Sequence, residues 1–470
     1  MPRSTPRRQP PRNSPQKAAK PQPTAPVRLI KDPARRAALD VLVAVRTDDA
    51  YANLVLPHVL AKYELSGRDA GFATELASGT LRQQGTYDAI LAACLDRPLA
   101  RVQAKVLDVL RLGAHQILSM RVPTFAAIDA TVELAKQSTN ASGLVNAVLR
   151  KVAARELDEW LAVLVIDDPL DRAAMVHSHP RWVVEALRQS LQGVGASSEL
   201  DALLTADNLA PQVTLVARPG RSEVDELPGE RTAYSPFGVV LESGSPSAVD
   251  AVREKRAGVQ DEGSQLVALA LADAPLVGRD ELWLDICAGP GGKAALLEAL
   301  ADVRGAVLVA NERQLHRAGL VAAHGVRRVV AGDGASAPFA AGTFDRLLVD
   351  APCSGLGALR RRPEARWRKK PADIAELVPL QERLLTAALR LVRPGGVVLY
   401  ATCSPVADET RGVVESVLTS TAAELVPIDL GVPDSAGPIP GTVQLWPHRH
   451  GTDAMFMALL QRPLTDRPLD

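Results

Sequence analysis

No two of the chain's four cysteines lie close together: Cys94, Cys287, Cys353 and Cys403 form no CxxC pair, which argues against a zinc site. There is no excess of charge either. Lys plus Arg and Asp plus Glu both total 54, so only the distribution of charge can speak about a nucleic-acid partner. The start of the chain lacks an apolar leader, and no run approaches the roughly 18 uninterrupted apolar residues of a membrane span. Together these absences predict a cytoplasmic protein with reduced thiols and no membrane partner. A free cysteine in that setting is usually a small buried hydrophobe, so position must decide whether it reacts.

What is present divides the chain. At 470 residues it is too long for one core, so a multidomain protein is expected. Residues 1–28 carry prolines throughout, seven basic residues and no acid, the composition of a disordered tail. Such a tail is a solubiliser or a weak, salt-sensitive grip on RNA phosphate. Residues 29–155 place apolar side chains three and four apart, as in PARRAALDVLVAVRT and LDVLRLGAHQILSM, and predict an all-α domain. His58 and His115 lie on these helices and read as packing or surface residues. Residues 156–259 mix helical and strand patterns and are taken as a small α/β connector. From 260 to 463, ELWLDI, AVLVANE, RRVVAGD, FDRLLVDAP and GGVVLYATCS are short apolar runs separated by helical segments, predicting a doubly wound parallel sheet. Two late runs, GTVQLWPH and AMFMALLQR, read as a closing antiparallel hairpin.

Ligands of such a sheet bind beyond the carboxyl ends of its strands. The first run ends in DICAGPGGK, whose turn comprises Cys287, Ala288, Gly289, Pro290, Gly291, Gly292 and Lys293. Its glycines allow a tight turn and close approach to a ligand, and the next helix offers free N–H groups. A P-loop is excluded, because Lys293 is followed by Ala and the GxxxxGK spacing is absent. The second run ends in Glu312, roughly 20 residues on, where an acid commonly accepts ribose hydroxyls. The third ends in AGDG, with Asp333 where an adenine edge would lie. One such acid would be a cap or turn residue; three successive strand ends describe an adenosine pocket. A nicotinamide cofactor would use the first two signals, but the rest of the sheet carries no dehydrogenase chemistry. The fourth run ends in Asp350-Ala351-Pro352-Cys353 and the fifth in Thr402-Cys403-Ser404-Pro405, which sets two thiols at neighbouring strand mouths.

DICAGPGGK, DAPCSGLGALRRRPEARW and YATCSP resemble the motifs of the NOL/NOP/Sun family of RNA cytosine-C5 methyltransferases. LSGRDAGFATELASGTLR, LRLGAHQILSM and SGLVNAVLRKV resemble the NusB-like RNA-binding domain that precedes the catalytic domain in the small-subunit ribosomal RNA branch of that family. The resemblance runs over roughly residues 33–460. It implies a Rossmann-like class I methyltransferase domain, S-adenosylmethionine as cofactor, and a cytosine of RNA, most naturally 16S ribosomal RNA, as substrate. It also implies roles. Cys403 attacks C6 of the base, Cys353 helps release the product, and Asp350 holds the cytosine edge. Residues 287–293 with Glu312, Asp333 and Asp350 hold the cofactor.

The run Arg360, Arg361, Arg362, Arg366, Arg368, Lys369 and Lys370 follows the Cys353 motif directly and is assigned to RNA phosphate. Trp367 within it reads as a base-stacking residue or a packing anchor. Two departures from the family pattern stand out. Gly289 replaces a frequent Ala and is expected to alter packing near the cofactor; Ala454-Met455 replaces Gly-Phe and is expected to touch only the last strand. A monomer is expected. The competing readings are a tRNA or large-subunit rRNA methyltransferase, a DNA-type enzyme with the cysteine roles exchanged, and a non-catalytic RNA-binding assembly or antitermination factor.

Overall fold

The computed structural model describes residues 32–464, so the 1–28 tail lies outside the described residues. Asp32 caps the first helix by accepting from Arg35 N, and Pro33 fills the first turn, where no N–H is needed. Seven helices then build the helical domain: α1 (Pro33–Thr47), α2 (Ala52–Lys62), α3 (Gly67–Arg82), α4 (Gln84–Cys94), α5 (Ala104–Leu118), α6 (Thr124–Ser138) and α7 (Ser142–Val152). Their apolar stripes meet in one core that includes Leu39, Leu76, Tyr87, Ile90, Leu110 and Leu149. A short α8 (Leu157–Val163) sends Trp160 into the same core, where its indole N–H donates to Val152 O.

The connector is built in two pieces. Helices α9 (Pro169–Val176), α10 (Arg181–Gly193) and α11 (Leu200–Ala206) pack against Leu356, Leu359 and Ala365 of the loop that follows Cys353. Then comes an antiparallel sheet of β1 (Thr214–Ala217), β2 (Glu230–Arg231), β3 (Gly238–Val240) and β4 (Ala257–Val259), in the order β2-β3-β1-β4. This sheet and α12 (Asp250–Arg253) share a small core of their own.

The large α/β domain begins with α13 (Glu262–Ala272) and alternates β5 (Leu282–Asp285), α14 (Gly292–Val303), β6 (Val307–Glu312), α15 (Leu315–Ala323), β7 (Val329–Ala331) and β8 (Phe344–Asp350). A short α16 (Ala365–Arg368), the long α17 (Pro371–Leu391), β9 (Val392–Thr402), α18 (Arg411–Ser420), β10 (Glu424–Val426), β11 (Val443–Gln444), α19 (Pro447–His450) and β12 (Phe456–Gln461) complete it. The main sheet runs β10-β12-β9-β8-β5-β6-β7, with β5 to β9 parallel. It is buried on both faces by two apolar clusters, which is why its strands read as unbroken apolar runs. Strand order reverses beside β5, so the switch point lies between the ends of β5 and β8.

The expected antiparallel hairpin forms, but it is short. β11 pairs with β12 over two residues only and lies off the main order of the sheet. Pro447 has no N–H to continue the ladder, and Trp446 N is taken by His450 Nδ1 at the turn into α19. β12 instead lies between β9 and β10, antiparallel to both. No helix among the described residues is long and apolar enough to cross a membrane.

Candidate active site

The turn after β5 is shaped by what its glycines leave out. Gly291 adopts φ 123° as the N-cap of α14, and a Cβ there would come within 2.9 Å of Val321 Cα. Gly289 N donates to Glu312 Oε2 at 2.9 Å, and Gln314 N donates to Glu312 Oε1 at 2.9 Å. A Cβ at Gly289 would stand 2.2 Å from Glu312 Oε2, so glycine in place of alanine lets the acid close onto the turn. Arg317 covers this pair, donating to Gly289 O. Cys287, Ala288, Pro290 and Gly292 complete the turn; Ala288 N donates to Asn311 O at 2.9 Å, which ties it to β6. Asp333 sits beyond β7, exposed, accepting from Ala335 N at 3.0 Å.

One acid escaped the sequence reading. Asp285 ends β5, fully buried, with one oxygen accepting from Cys287 N and the other without any partner. Burial, then the Asp350 carboxylate, pushes its pKa up to about 8. The signal was available, since Asp285 holds the same strand-end position as Glu312 and Asp350. A glycine turn, a caged carboxylate for a ribose and an orphan buried oxygen for a cationic amine fit an adenosine that carries an amino-acid tail.

Removing Glu312 should therefore matter more than removing Asp333. Glu312→Ala is expected to lose roughly 1–3 kcal/mol of S-adenosylmethionine affinity by titration calorimetry, and exposed Asp333→Ala less. Equal affinity in Glu312→Ala and the parent would remove that acid from the pocket.

The thiols meet because β8 and β9 are parallel neighbours in register, Asp350 opposite Ala401. The segments leaving them run side by side and bring Cys353 Sγ to 3.5 Å from Cys403 Sγ. Lys293 Nζ, from the first turn of α14, donates to Asp350 Oδ2 at 2.9 Å. Burial works against the Lys293 ammonium, but the charge and hydrogen bond of Asp350 prevail and raise its pKa. The Cys403 thiol is pulled below its ordinary value. The hydrogen bond from Cys353 is the largest cause and outweighs burial and Asp350, with Lys293 and Arg362 adding to it. The same bond, together with burial, pushes Cys353 well up. Lys293 and Arg362 act on Cys403, so negative charge is favoured there over Cys353. Burial and the surrounding carboxylates push Cys287 up as well.

Glu409 fixes this spacing, and the sequence reading passed over it. It is fully buried and accepts from Ser354 N at 2.7 Å, Ser354 Oγ at 2.5 Å, Ser404 Oγ at 2.6 Å and Gln381 Nε2 at 3.1 Å. Each serine directly follows one of the two cysteines. Gly357 N donates to Cys403 O at 2.9 Å, and Ala454 N to Gly357 O at 2.8 Å. Ala454 therefore borders the catalytic loop, which corrects the expectation that it touches only the last strand.

Most of the basic run expected at RNA phosphate finds partners within the protein. Arg361 donates to Asp261 Oδ2 at 2.5 Å and Asp453 Oδ1 at 3.2 Å, and Arg360 donates to Asp453 Oδ1 at 3.4 Å. Arg366 is fully buried and donates to Ser178 O, Asn208 Oδ1 and Asp207 O. Trp367 packs on Gly85 of α4, where a Cβ would lie 2.6 Å from its ring. Arg368 donates to the carbonyls of Val45, Asp49 and Ala50. These side chains fasten the catalytic loop to the connector and the helical domain. Arg362 instead lies over the ring of Tyr51.

A profile described as "16S rRNA methyltransferase RsmB/F" matches residues 274–461, and a NusB family profile matches residues 32–154. "Putative methyltransferase Rv1407" of Mycobacterium tuberculosis (strain ATCC 25618 / H37Rv) is 49% identical over 94% of this chain and 99% of its own length. "Ribosomal RNA small subunit methyltransferase B" of Pseudomonas syringae pv. tomato is 33% identical over 91% of this chain and 96% of its own. "Probable ribosomal RNA small subunit methyltransferase B" of Bacillus subtilis is 31% identical over 92% and 99%. Among solved structures, "Crystal Structure of PH0851" shares the fold at a TM-score of 0.76, 22% identity and 92% coverage of this chain and 99% of that one. With a glycine turn made for an adenosine, paired thiols at the switch point and a NusB domain ahead of them, the chain belongs to the RsmB/F family of S-adenosylmethionine-dependent rRNA methyltransferases.

Proposed function

We propose that the enzyme methylates C5 of a cytosine in small-subunit ribosomal RNA through a covalent Cys403–C6 adduct. The observation that carries this is the 3.5 Å Cys353–Cys403 contact with Lys293 and Asp350 beside it. C5 of cytosine is a poor nucleophile. Attack of the Cys403 thiolate forms an S–C6 bond and pushes the ring electrons toward C5 and N3. N3 takes up a proton from water as the adduct forms and gives it back on release; Asp350 accepts from that N3–H, while Lys293 holds the carboxylate in place. When bound, S-adenosylmethionine supplies the sulfonium methyl group that C5 takes. The C5 proton then passes to a base, the C5–C6 double bond re-forms, and the S–C6 electron pair returns to Cys403. Cys353, within reach of the leaving sulfur, assists that release.

The NusB domain supports an RNA partner, and an rRNA substrate places the work in the cytoplasm. The substrate test is a map of 5-methylcytosine in ribosomal and transfer RNA from cells with and without the gene. One small-subunit cytosine should lose its mark, and the purified enzyme should restore it on naked rRNA or on the small-subunit particle. A mark lost from tRNA or large-subunit rRNA instead would overturn the choice of substrate.

A further inference from the structure

The arginine run holds one side chain that the fold leaves free to act. Arg360, Arg361, Arg366 and Arg368 all end on carboxylates, amide oxygens or backbone carbonyls. The Arg362 guanidinium makes no such bond. It lies over the ring of Tyr51, 5.1 Å from the centroid, and Arg368 flanks the same ring at 5.4 Å. Tyr51 belongs to the helical domain, at the N-cap of α2. Its position is fixed from both sides: Glu364 accepts from Ala52 N at 3.1 Å, and Arg368 grips the carbonyls just before it. A guanidinium seated over an aromatic ring gives up side-chain freedom while its unpaired donors stay available, and a forked donor set suits a phosphate. The loop that carries Arg362 is held beside Cys403, since Gly357 N donates to Cys403 O at 2.9 Å and Arg362 N donates to Ala358 O at 3.0 Å.

We propose that Arg362, carried on Tyr51, binds the backbone phosphate of the nucleotide being methylated, so that the helical domain supplies part of the catalytic pocket. This rests on the reading of Cys403 as the nucleophile toward RNA. Arg362 is the contact, and Tyr51 is a positioning residue that acts through it. The stacked pair does what a lone surface arginine cannot do at equal cost in side-chain freedom, because the ring removes rotamers before RNA arrives.

The experiment compares Arg362→Gln, Tyr51→Leu, Tyr51→Phe and the Arg362→Gln/Tyr51→Leu double variant of the full chain, using a small-subunit rRNA transcript. Arg362→Gln should raise KM for RNA roughly tenfold and leave KM for S-adenosylmethionine unchanged. In RNA binding without cofactor, its log–log salt slope should fall by about 0.7, the loss of one phosphate on a single strand. Tyr51→Leu should show the same pattern more weakly, Tyr51→Phe should behave as the parent, and the double variant should be no worse than Arg362→Gln. A second outcome overturns the proposal: Arg362→Gln moves the pH dependence of Cys403 alkylation by iodoacetamide upward but changes neither RNA KM nor salt slope. Arg362 would then serve the thiolate alone. Additive losses in the double variant would overturn the role of Tyr51. If the parent enzyme methylates no RNA, the proposed function itself falls, and unchanged salt slopes would separate the two failures.

Discussion

Cys403→Ala is expected to transfer no methyl group to RNA and to form no covalent complex, because no thiolate remains to attack C6. Cys353→Ala should turn over just as poorly for the opposite reason, since attack proceeds and release fails. It should accumulate a protein–RNA adduct that survives denaturing electrophoresis and that S-adenosylmethionine strengthens. The asymmetry comes from the surroundings of two otherwise similar thiols. Lys293 and Arg362 favour negative charge on Cys403, whereas burial and the bond to Cys403 keep the proton on Cys353. Deleting Cys353 also deletes the hydrogen bond that lowers Cys403, so adduct formation in Cys353→Ala should need a higher pH than in the parent. An adduct that appears in Cys403→Ala and vanishes in Cys353→Ala would exchange the two roles.

Loss of the buried Glu409 carboxylate should have an effect of similar size. Glu409→Ala strands donors from Ser354, Ser404 and Gln381 in a site without water access, costing roughly 3 kcal/mol or more of stability. Thermal unfolding would read that loss. Glu409→Gln keeps the shape and part of the bonding, so it should fold. Its amide cannot accept from every side, however, and the Cys353 and Cys403 segments should drift apart. A displacement of about 1 Å can cost on the order of a hundredfold in rate, and single-turnover methylation should slow accordingly. A folded Glu409→Gln enzyme with the parent's rate would show that the serine–glutamate clamp does not set the thiol spacing.

How far the sequence carried depends on where each residue's partners lie. The catalytic strands were legible because a strand buried on both faces is a continuous apolar run that ends in turn residues, as in FDRLLVDAP. β10 was not, since three residues of mixed exposure carry no period. The strand-end acids Glu312 and Asp350 stood out beside a glycine turn and a proline-cysteine pair. Asp285 occupied an equivalent place and was passed over as part of the glycine motif. The basic run was ambiguous, because a row of arginines looks alike whether water or protein receives it. The donors of Arg366 are taken up by acceptors at positions 178, 207 and 208, and those of Arg368 by carbonyls at 45, 49 and 50. Nothing local announces such distant partners. Glu409 lies six residues past the thiol it supports, beyond the motif that drew attention to Cys403.

The loop from Gly357 to Arg368 gives the molecule a mechanical character. At one end its backbone is bonded to Cys403, in the middle it seats arginines in the connector, and at the other end it grips the loop between α1 and α2. The helical domain and the Cys403 segment are therefore braced by one bonded loop and not joined by a free tether.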